Sequence, residues 1–466
     1  MIVMIAFSFL LINTNTVAAD TTTVGNSGNE NYTSIQKAVN NSVDGDTTLV
    51  NKGTYIENVD IDKKLTIISK SGNPEDTIIQ AFHPYDHVLH VTANNVTIKG
   101  FGLKNSSSGS GIYLDNVQYN TIANNHLQAN GIGIHLWNAA RNNILINNTA
   151  SDNSWAGIRL TPDDSELASN NTLINNTMVN NTYNFEIYTG YENASMQNNI
   201  DITNTVNGKP IYYLVNVSNI TLNSTSNAGA IYCINCQNMT IKDQVLQNNS
   251  LSIALFNTSN SRFNSNILSN NIYGIFLDNS NNNSGLNNIA INNGIGIVIS
   301  SSTNNNLSNN VANSNGNGFD ILDSDNTELN NNTANNNKAN GIALSSSTKN
   351  QLSGNIANYN LYGITFYNCS DNLLNNNIAN SNEYAGIDLG GSNNTLINNI
   401  ANSNRRYDFE FARSNNNTLR GNIGNSDVDH LPVDSSNRTS KNEIKDQDIE
   451  NKSFISSLIS AVASWV

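Results

Sequence analysis

The chain has 466 residues and a formal charge of -14, and only 12% of its residues are charged, with Lys and Arg together numbering 22. A basic footprint for a phosphate backbone is missing, so nucleic acid is not an expected partner. Asn makes up about a fifth of the sequence, several-fold above ordinary usage, but it recurs in phase with apolar residues, which a disordered polar tract has no reason to do.

Residues 1–19 read as a secretory signal, with an apolar stretch from Met1 to Ile12 and a small-residue cleavage site, Val17-Ala18-Ala19, before Asp20. No Lys or Arg precedes the apolar run. No other stretch reaches the roughly 18 consecutive apolar residues of a membrane span. Residues 20–80 are expected to form an N-terminal cap and the first coils. Thr33 to Val39 has the pattern of a short amphipathic helix, which would cover an otherwise unpaired open end.

Residues 81–426 repeat. A Gly-Ile-x-Leu-like strand recurs at Gly111, Gly133, Gly157, Gly274, Gly296, Gly318, Gly341, Gly363 and Gly386, about 22 to 24 residues apart. That period is too short for helical repeats and fits a β-solenoid. Within each strand, pairs such as Ile112/Leu114 and Ile275/Leu277 alternate with period two and point inward. The predicted fold is all-β, a single right-handed parallel β-helix. A column of small residues (Ala139, Thr258, Ser280, Ser302) follows each strand, and Cys236 and Cys369 fall in it. An Asn column comes next (Asn266, Asn288, Asn310, Asn332, Asn355, Asn377), and a second lies three residues on (Asn313, Asn335, Asn358, Asn380, Asn402, Asn425). Coils stacked about 4.8 Å apart let such amides hydrogen-bond up the stack. By this count Asn355 lies in a ladder and Asn360 outside both columns.

The phase is lost near residues 189–229, read as an irregular insertion. Residues 427–466 form a polar segment and an apolar tail, Phe454 to Val466, too short to span a bilayer. Cap and anchor both remain open for that tail. Roughly two dozen Asn-x-Ser/Thr sequons occur, for example at Asn95 and Asn219, and in an exported chain several can carry glycans.

The outward column of the strands reads Tyr113, His135, Arg159, Glu186, Tyr232, Ala254, Phe276, Val298, Asp320, Ala343, Thr365, Asp388 and Glu410. Trp137 and Trp155 lie beside its early part, and a loop with Asp163 and Asp164 overhangs it. An acid, a base, a cation and aromatic platforms are the parts of a sugar groove. The carbohydrate-binding set is therefore Tyr113, His135, Trp137, Trp155, Arg159, Asp163, Asp164 and Glu186; a solvated face is the plain alternative. Catalytic candidates are His135, Arg159 and Glu186, and the pair Asp388 and Glu410 one rung apart. Carboxyls about 5 Å apart suit a retaining glycosidase, although Arg405, Arg406 and Arg413 are close enough in sequence to neutralise them. His83, His87 and His90 fall within eight residues, and imidazole suits copper or zinc. Cys233 and Cys236 read as small core residues. Gly-x-Ser-x-Gly and P-loop signatures are absent.

Ile35-Gln36-Lys37-Ala38-Val39 through Gly53-Thr54-Tyr55 to Leu65-Thr66-Ile67 resembles the first coils of the pectin lyase-like superfamily. Asp86-His87-Val88, Asn95-Val96-Thr97-Ile98-Lys99-Gly100-Phe101, the Gly-Ile repeats and Asn207-Gly208-Lys209-Pro210-Ile211-Tyr212-Tyr213 are similar to the periplasmic copper-binding NosD-like family. That family includes carbohydrate-binding and sugar-hydrolysis repeat domains. The resemblance spans roughly Asn31 to Asn425. It implies export, a site on an outer strand ridge, and a polysaccharide or cell-surface glycan as partner; copper is the only cofactor it implies. Three functions follow: a surface protein that binds polysaccharide or forms a rigid glycosylated rod, a glycoside hydrolase or lyase, or a copper-delivery accessory. The chain is expected as a monomer that is secreted or held at the cell surface, or periplasmic where an outer membrane exists.

Overall fold

The computed structural model describes residues 19–138, 140–161, 168–187, 196–411 and 414–424. The signal segment up to residue 18, Ala139, Asp163, Asp164, Arg413, Asn425 and the C-terminal segment 427–466 lie outside them. The described chain is a parallel β-helix, in which a full coil contributes three short strands to three parallel sheets, the third reduced to a single bridge at Thr333, Ile356 and Ile378. One such coil runs through Thr121–Ala123, His126–Gln128 and Ile132–Trp137. Inward positions are apolar and fully buried, as with Ile122, Leu127, Ile134 and Leu136.

The coil closes because each corner pairs a left-handed residue with an inward Asn. Asn304, Asn309 and Ser314 have φ of 58°, 54° and 58°, and Asn305, Asn310 and Asn315 follow them, buried. Asn and Asp tolerate the left-handed region better than other non-glycine residues. The inward amides then bond along the stack. Asn355 Oδ1 accepts from Asn332 N and Nδ2 at 2.9 and 3.0 Å, and Asn355 Nδ2 donates to Leu329 O and Asn377 Oδ1 at 2.8 and 2.9 Å. Such an amide is buried with its main hydrogen-bonding groups satisfied.

Asn360 corrects the sequence reading. It is buried, accepts from Asn337 Nδ2 at 3.0 Å, and donates to Ala334 O at 2.9 Å. It therefore belongs to a third inward ladder. The inward spacing is five residues (Asn350, Asn355, Asn360), whereas the column containing Asn358 is half-buried and faces outward. There the side chains of Asn313, Asn335, Asn358 and Asn380 accept from the backbone of the next coil, as Asn358 Oδ1 does from Asn380 N at 2.7 Å.

At the N-terminus the helix Ile35–Asn41 buries Ile35, Ala38 and Val39 over the first coil. Ser34 caps it through Lys37 N at 3.2 Å, and the Glu57 carboxylate takes Ile35 N and Gln36 N, each at 2.9 Å. These contacts satisfy the free donors of a helix start.

Of the region near 189–229, the described residues 196–229 form a junction. Strand Thr205–Val206 turns back through Asn207 (φ 48°) and Gly208 (φ 76°) into Lys209–Val215, an antiparallel pairing in an otherwise parallel stack. Positive φ at both turn residues is the two-residue hairpin geometry that Asn-Gly favours. Two strands after the junction, Ala230–Ile234 and Leu251–Phe256, are buried on both sides. In Ala230–Ile234, Ile231 and Cys233 join the second core, while Ala230, Tyr232 and Ile234 join the first. Leu251, Ala254 and Phe256 do likewise. Tyr232 and Ala254 are thus buried, contrary to the outward, solvent-facing column in which the sequence pattern places them. Their side of the sheet packs against the end of the first solenoid, with Tyr232 edge-on to Phe185 at 5.6 Å.

Candidate functional site

Six parallel strands, Val59–Ile61, Leu89–Val91, Ser110–Asp115, Ile132–Trp137, Ala156–Leu160 and Tyr183–Ile187, form one sheet of the first solenoid. Their register aligns Asp60, His90, Tyr113, His135, Arg159 and Glu186 on successive coils. Alternation along each strand turns this column away from the core, and stacking fixes its spacing.

The column is a chain of ring contacts ending in an ion pair. The His87 ring stacks on Tyr113 at 4.0 Å, and His90 lies 5.3 Å from the same ring. Tyr113 and His135 meet edge-on at 5.3 Å, and His135 and Trp137 at 5.5 Å. His87 Nδ1 accepts from Ser110 N at 3.0 Å, which places any ring proton of the neutral form on Nε2. Burial, then repulsion from His90, holds the His87 pKa below its ordinary value. His135 hydrogen-bonds through Nε2 to Thr161 Oγ1 at 2.8 Å. Burial, followed by the charge of Arg159, lowers its pKa to about 3. At neutral pH His135 is an uncharged hydrogen-bonding group.

Glu186 is buried and accepts from Trp155 Nε1 at 2.7 Å. Arg159 Nε lies 3.2 Å from the same oxygen, but its N–H is not aimed there and makes no hydrogen bond. The contact is an ion pair out of line. Burial raises the Glu186 pKa against the opposing pull of Arg159 and Trp155. The Arg159 guanidinium sits 5.7 Å over the Trp155 ring, and Trp155 meets Tyr183 edge-on at 5.2 Å. Trp137 is 37% exposed, which leaves an aromatic surface beside the column.

Three contributors escaped the sequence reading, the first being Asp60, the register partner of His90. His90 belongs to the column itself, and the alternation of Leu89-His90-Val91 carried that signal. His87 extends the aromatic run from outside the strand. His83 stands apart, edge-on to Phe82 at 4.5 Å. His83, His87 and His90 therefore do not converge as a ligand set.

In the second solenoid Asp388 and Glu410 are register partners. Burial and the neighbouring Glu410 raise the Asp388 pKa well above the carboxylate range. Arg406 lies over Tyr384 at 4.9 Å and Tyr407 at 5.3 Å. From Val298 up to this pair the column is closed off: Val298, Asp320, Ala343 and Thr365 are at most 2% exposed. Asp320 Oδ2 accepts from Asn317 Nδ2 at 3.0 Å, while Oδ1 has no hydrogen-bond partner. Burial lifts its pKa to about 7. Cys233, Cys236 and Cys369 are buried free thiols.

Stacked parallel strands, inward amide ladders and an outward ridge define a right-handed parallel β-helix, and the profile described as right handed beta helix region matches residues 308–449. The profile described as periplasmic copper-binding protein (NosD) matches residues 39–219 and 202–367. The chain belongs to that family. A cell surface glycoprotein of Methanothermus fervidus is 35% identical over 99 residues, which are 21% of this chain and 16% of that protein. Among solved structures, the A-module of the Azotobacter vinelandii mannuronan C-5 epimerase AlgE4 has a TM-score of 0.33 and 13% identity, covering 84% of this chain and 91% of its own. An alginate lyase from Paenibacillus sp. has a TM-score of 0.29 and 13% identity, covering 72% and 94%. Those scores carry no argument for activity.

The family description names copper, and the residues do not fit it. Among the described residues no group of three or more His, Cys, Asp or Glu is placed to hold a metal ion. Cys236 Sγ instead donates to backbone carbonyls of Leu214 and Ile234, both at 3.4 Å. Among the described residues no helix is long and apolar enough to cross a membrane.

Proposed function

We propose that this chain is an exported surface protein that binds an extended polysaccharide along the column from His90 to Glu186. The observation that carries the reading is the register itself. Six successive coils present Asp60, His90, Tyr113, His135, Arg159 and Glu186 in line, with the Trp137 ring exposed at the side. Half-exposed His90 and Tyr113 offer hydrogen bonds to hydroxyls, Arg159 offers a cation, and the indole offers a face for a sugar ring. Strands hold these groups at fixed spacing, which lowers the ordering cost of binding a polymer. The surface location is supported by the periplasmic designation of the family and by the name of the Methanothermus relative.

The test is binding of the exported chain to a panel of soluble polysaccharides, repeated with Trp137→Ala and Arg159→Ala. At least one variant is expected to weaken a bound glycan threefold or more, about 0.65 kcal/mol. A glycan bound equally by both variants and the parent would place the site elsewhere.

A second reading rests on the Asp388 and Glu410 pair, register partners in which burial and the neighbouring carboxyl raise the Asp388 pKa, as in paired carboxyls that divide acid and nucleophile roles. Release of reducing sugar by the parent chain but not by Asp388→Asn would support a glycoside hydrolase. Equal yields from the two would exclude this pair.

A further inference from the structure

Twenty Asn-x-Ser/Thr sequons begin within the described residues, and in sixteen the Asn has positive φ. Not one of the twenty is buried. In contrast, the 34 buried asparagines include no sequon at all. In a chain so rich in Asn, Ser and Thr this separation needs a cause, and the coil supplies it.

A ladder Asn points inward at the start of a strand. The next residue points out, and the one after points in again. Asn171, Asn176, Asn332 and Asn394 are followed two residues on by Leu173, Met178, Ala334 and Leu396, all buried. The core therefore denies a ladder Asn the hydroxyl residue of a sequon. The corner Asn one position earlier has the opposite parity. Its second neighbour is the outward strand residue, which is Thr172, Thr177, Thr333 or Thr395 after Asn170, Asn175, Asn331 and Asn393. Those four asparagines have φ between 53° and 59° and are exposed.

We propose that these left-handed corner asparagines are N-glycan acceptor sites, set in rows along the edges of the solenoid. The modification joins Asn Nδ2 to the anomeric carbon of an oligosaccharide delivered on a lipid phosphate or diphosphate. One C–N bond forms, the C–O bond to phosphate breaks, the lipid phosphate leaves, and the amide gives up one proton to a base. A corner amide tolerates the change because no ladder depends on it. Asn175 Nδ2, for example, donates only to its neighbour Asn147 Oδ1, at 2.7 Å, and a glycosylated amide keeps one N–H. A sugar on Asn176 would instead break bonds to Leu145 O and Asn204 Oδ1, both 2.9 Å, inside the core.

The inference rests on the exported reading, and one culture tests both. The full chain is recovered from its own host by cell fractionation, and its peptides are read by glycopeptide mass spectrometry. Sugar-mass additions are expected at corner sequons such as Asn170, Asn331 and Asn393. Thr333→Ala should remove the addition at Asn331 without moving the melting temperature, and Thr333→Ser should restore it. Export with every corner peptide unmodified would overturn the glycan rows alone. So would additions confined to the sequons outside left-handed corners, Asn31, Asn40, Asn223 and Asn306. Recovery only from the cytoplasm would overturn the surface reading and the rows with it.

Discussion

The two solenoids share one coil and the same inward Asn ladders, but they spend their outward column differently. Before the junction the column is His90, Tyr113, His135 and Arg159, polar, aromatic and mostly half-exposed. After it the column begins Tyr232, Ala254, Phe276 and Val298, apolar and, Phe276 apart, buried. Identical geometry on the same kind of strand thus gives a half-exposed polar ridge in one place and a packing face in the other. Position in a β-helix repeat fixes direction, not solvent contact; what lies across from the strand decides the rest.

That contrast can be broken most severely at Tyr232. Its ring is fully buried between Phe185 and Tyr213, so Tyr232→Ala should cost about 3 to 5 kcal/mol, as large-to-small core changes do. Chemical unfolding followed by circular dichroism measures it, and a change below about 1 kcal/mol would mean the two solenoids do not depend on this contact.

Asp320 gives the next effect. Its folded pKa is raised from 3.8 to about 7, so its contribution to stability is fully present below about pH 3.8 and is lost as pH rises through 7. A tenfold difference in proton affinity between the folded and unfolded chain is worth about 1.4 kcal/mol, so Asp320→Asn should gain roughly 4 kcal/mol at pH 8 and under about 1 kcal/mol at pH 4. Melting temperatures of parent and variant at the two pH values provide the comparison; parallel curves would contradict it.

The ladders should respond alike in kind. Asn355→Leu and Asn360→Leu each strand buried partners and should cost roughly 1 to 3 kcal/mol, whereas Asn358→Leu, in the outward column, should cost less. An Asn360 variant as stable as the parent would remove the third ladder. Smallest is Trp137→Ala, which should leave stability within about 0.5 kcal/mol while weakening glycan binding. A large fall in melting temperature there would turn the exposed indole into a structural element.

Much of this was legible in the sequence because solenoid coils repeat every constraint. The Gly-Ile strands set the period, and alternation placed Tyr113, His135, Arg159 and Glu186 in one column. The burial of Tyr232 and Ala254 was not legible, because it follows from a chain reversal at Asn207-Gly208 that no period announces. Asn360 was missed for another reason. Two Asn columns, one inward at a five-residue spacing and one outward at three, overlap in the text, and only hydrogen bonding separates them. His135 as an uncharged group was also hidden, since its low pKa depends on burial that residue type does not reveal.

The ladders also bear on how this protein ages. Asn followed by Gly is the pairing most prone to lose its amide, because the glycine nitrogen can attack the side-chain carbonyl. Asn293-Gly294 and Asn315-Gly316 are such pairs, but Asn293 is pinned by Asn271 N at 3.0 Å, and Gly294 N is spent on Asn271 O at 2.9 Å. Gly316 N is spent likewise on Asn293 O at 3.0 Å. The attacking nitrogen and its target are each tied to another coil. At the hairpin Asn207 Oδ1 is likewise held, by Asn180 N at 3.1 Å, but Gly208 is exposed and the pair lacks the double restraint. In protein stored for long periods, peptide mapping should find aspartate and isoaspartate at Asn207 well before Asn293 or Asn315, so the chemical clock of the molecule runs at its reversal and not along its coils.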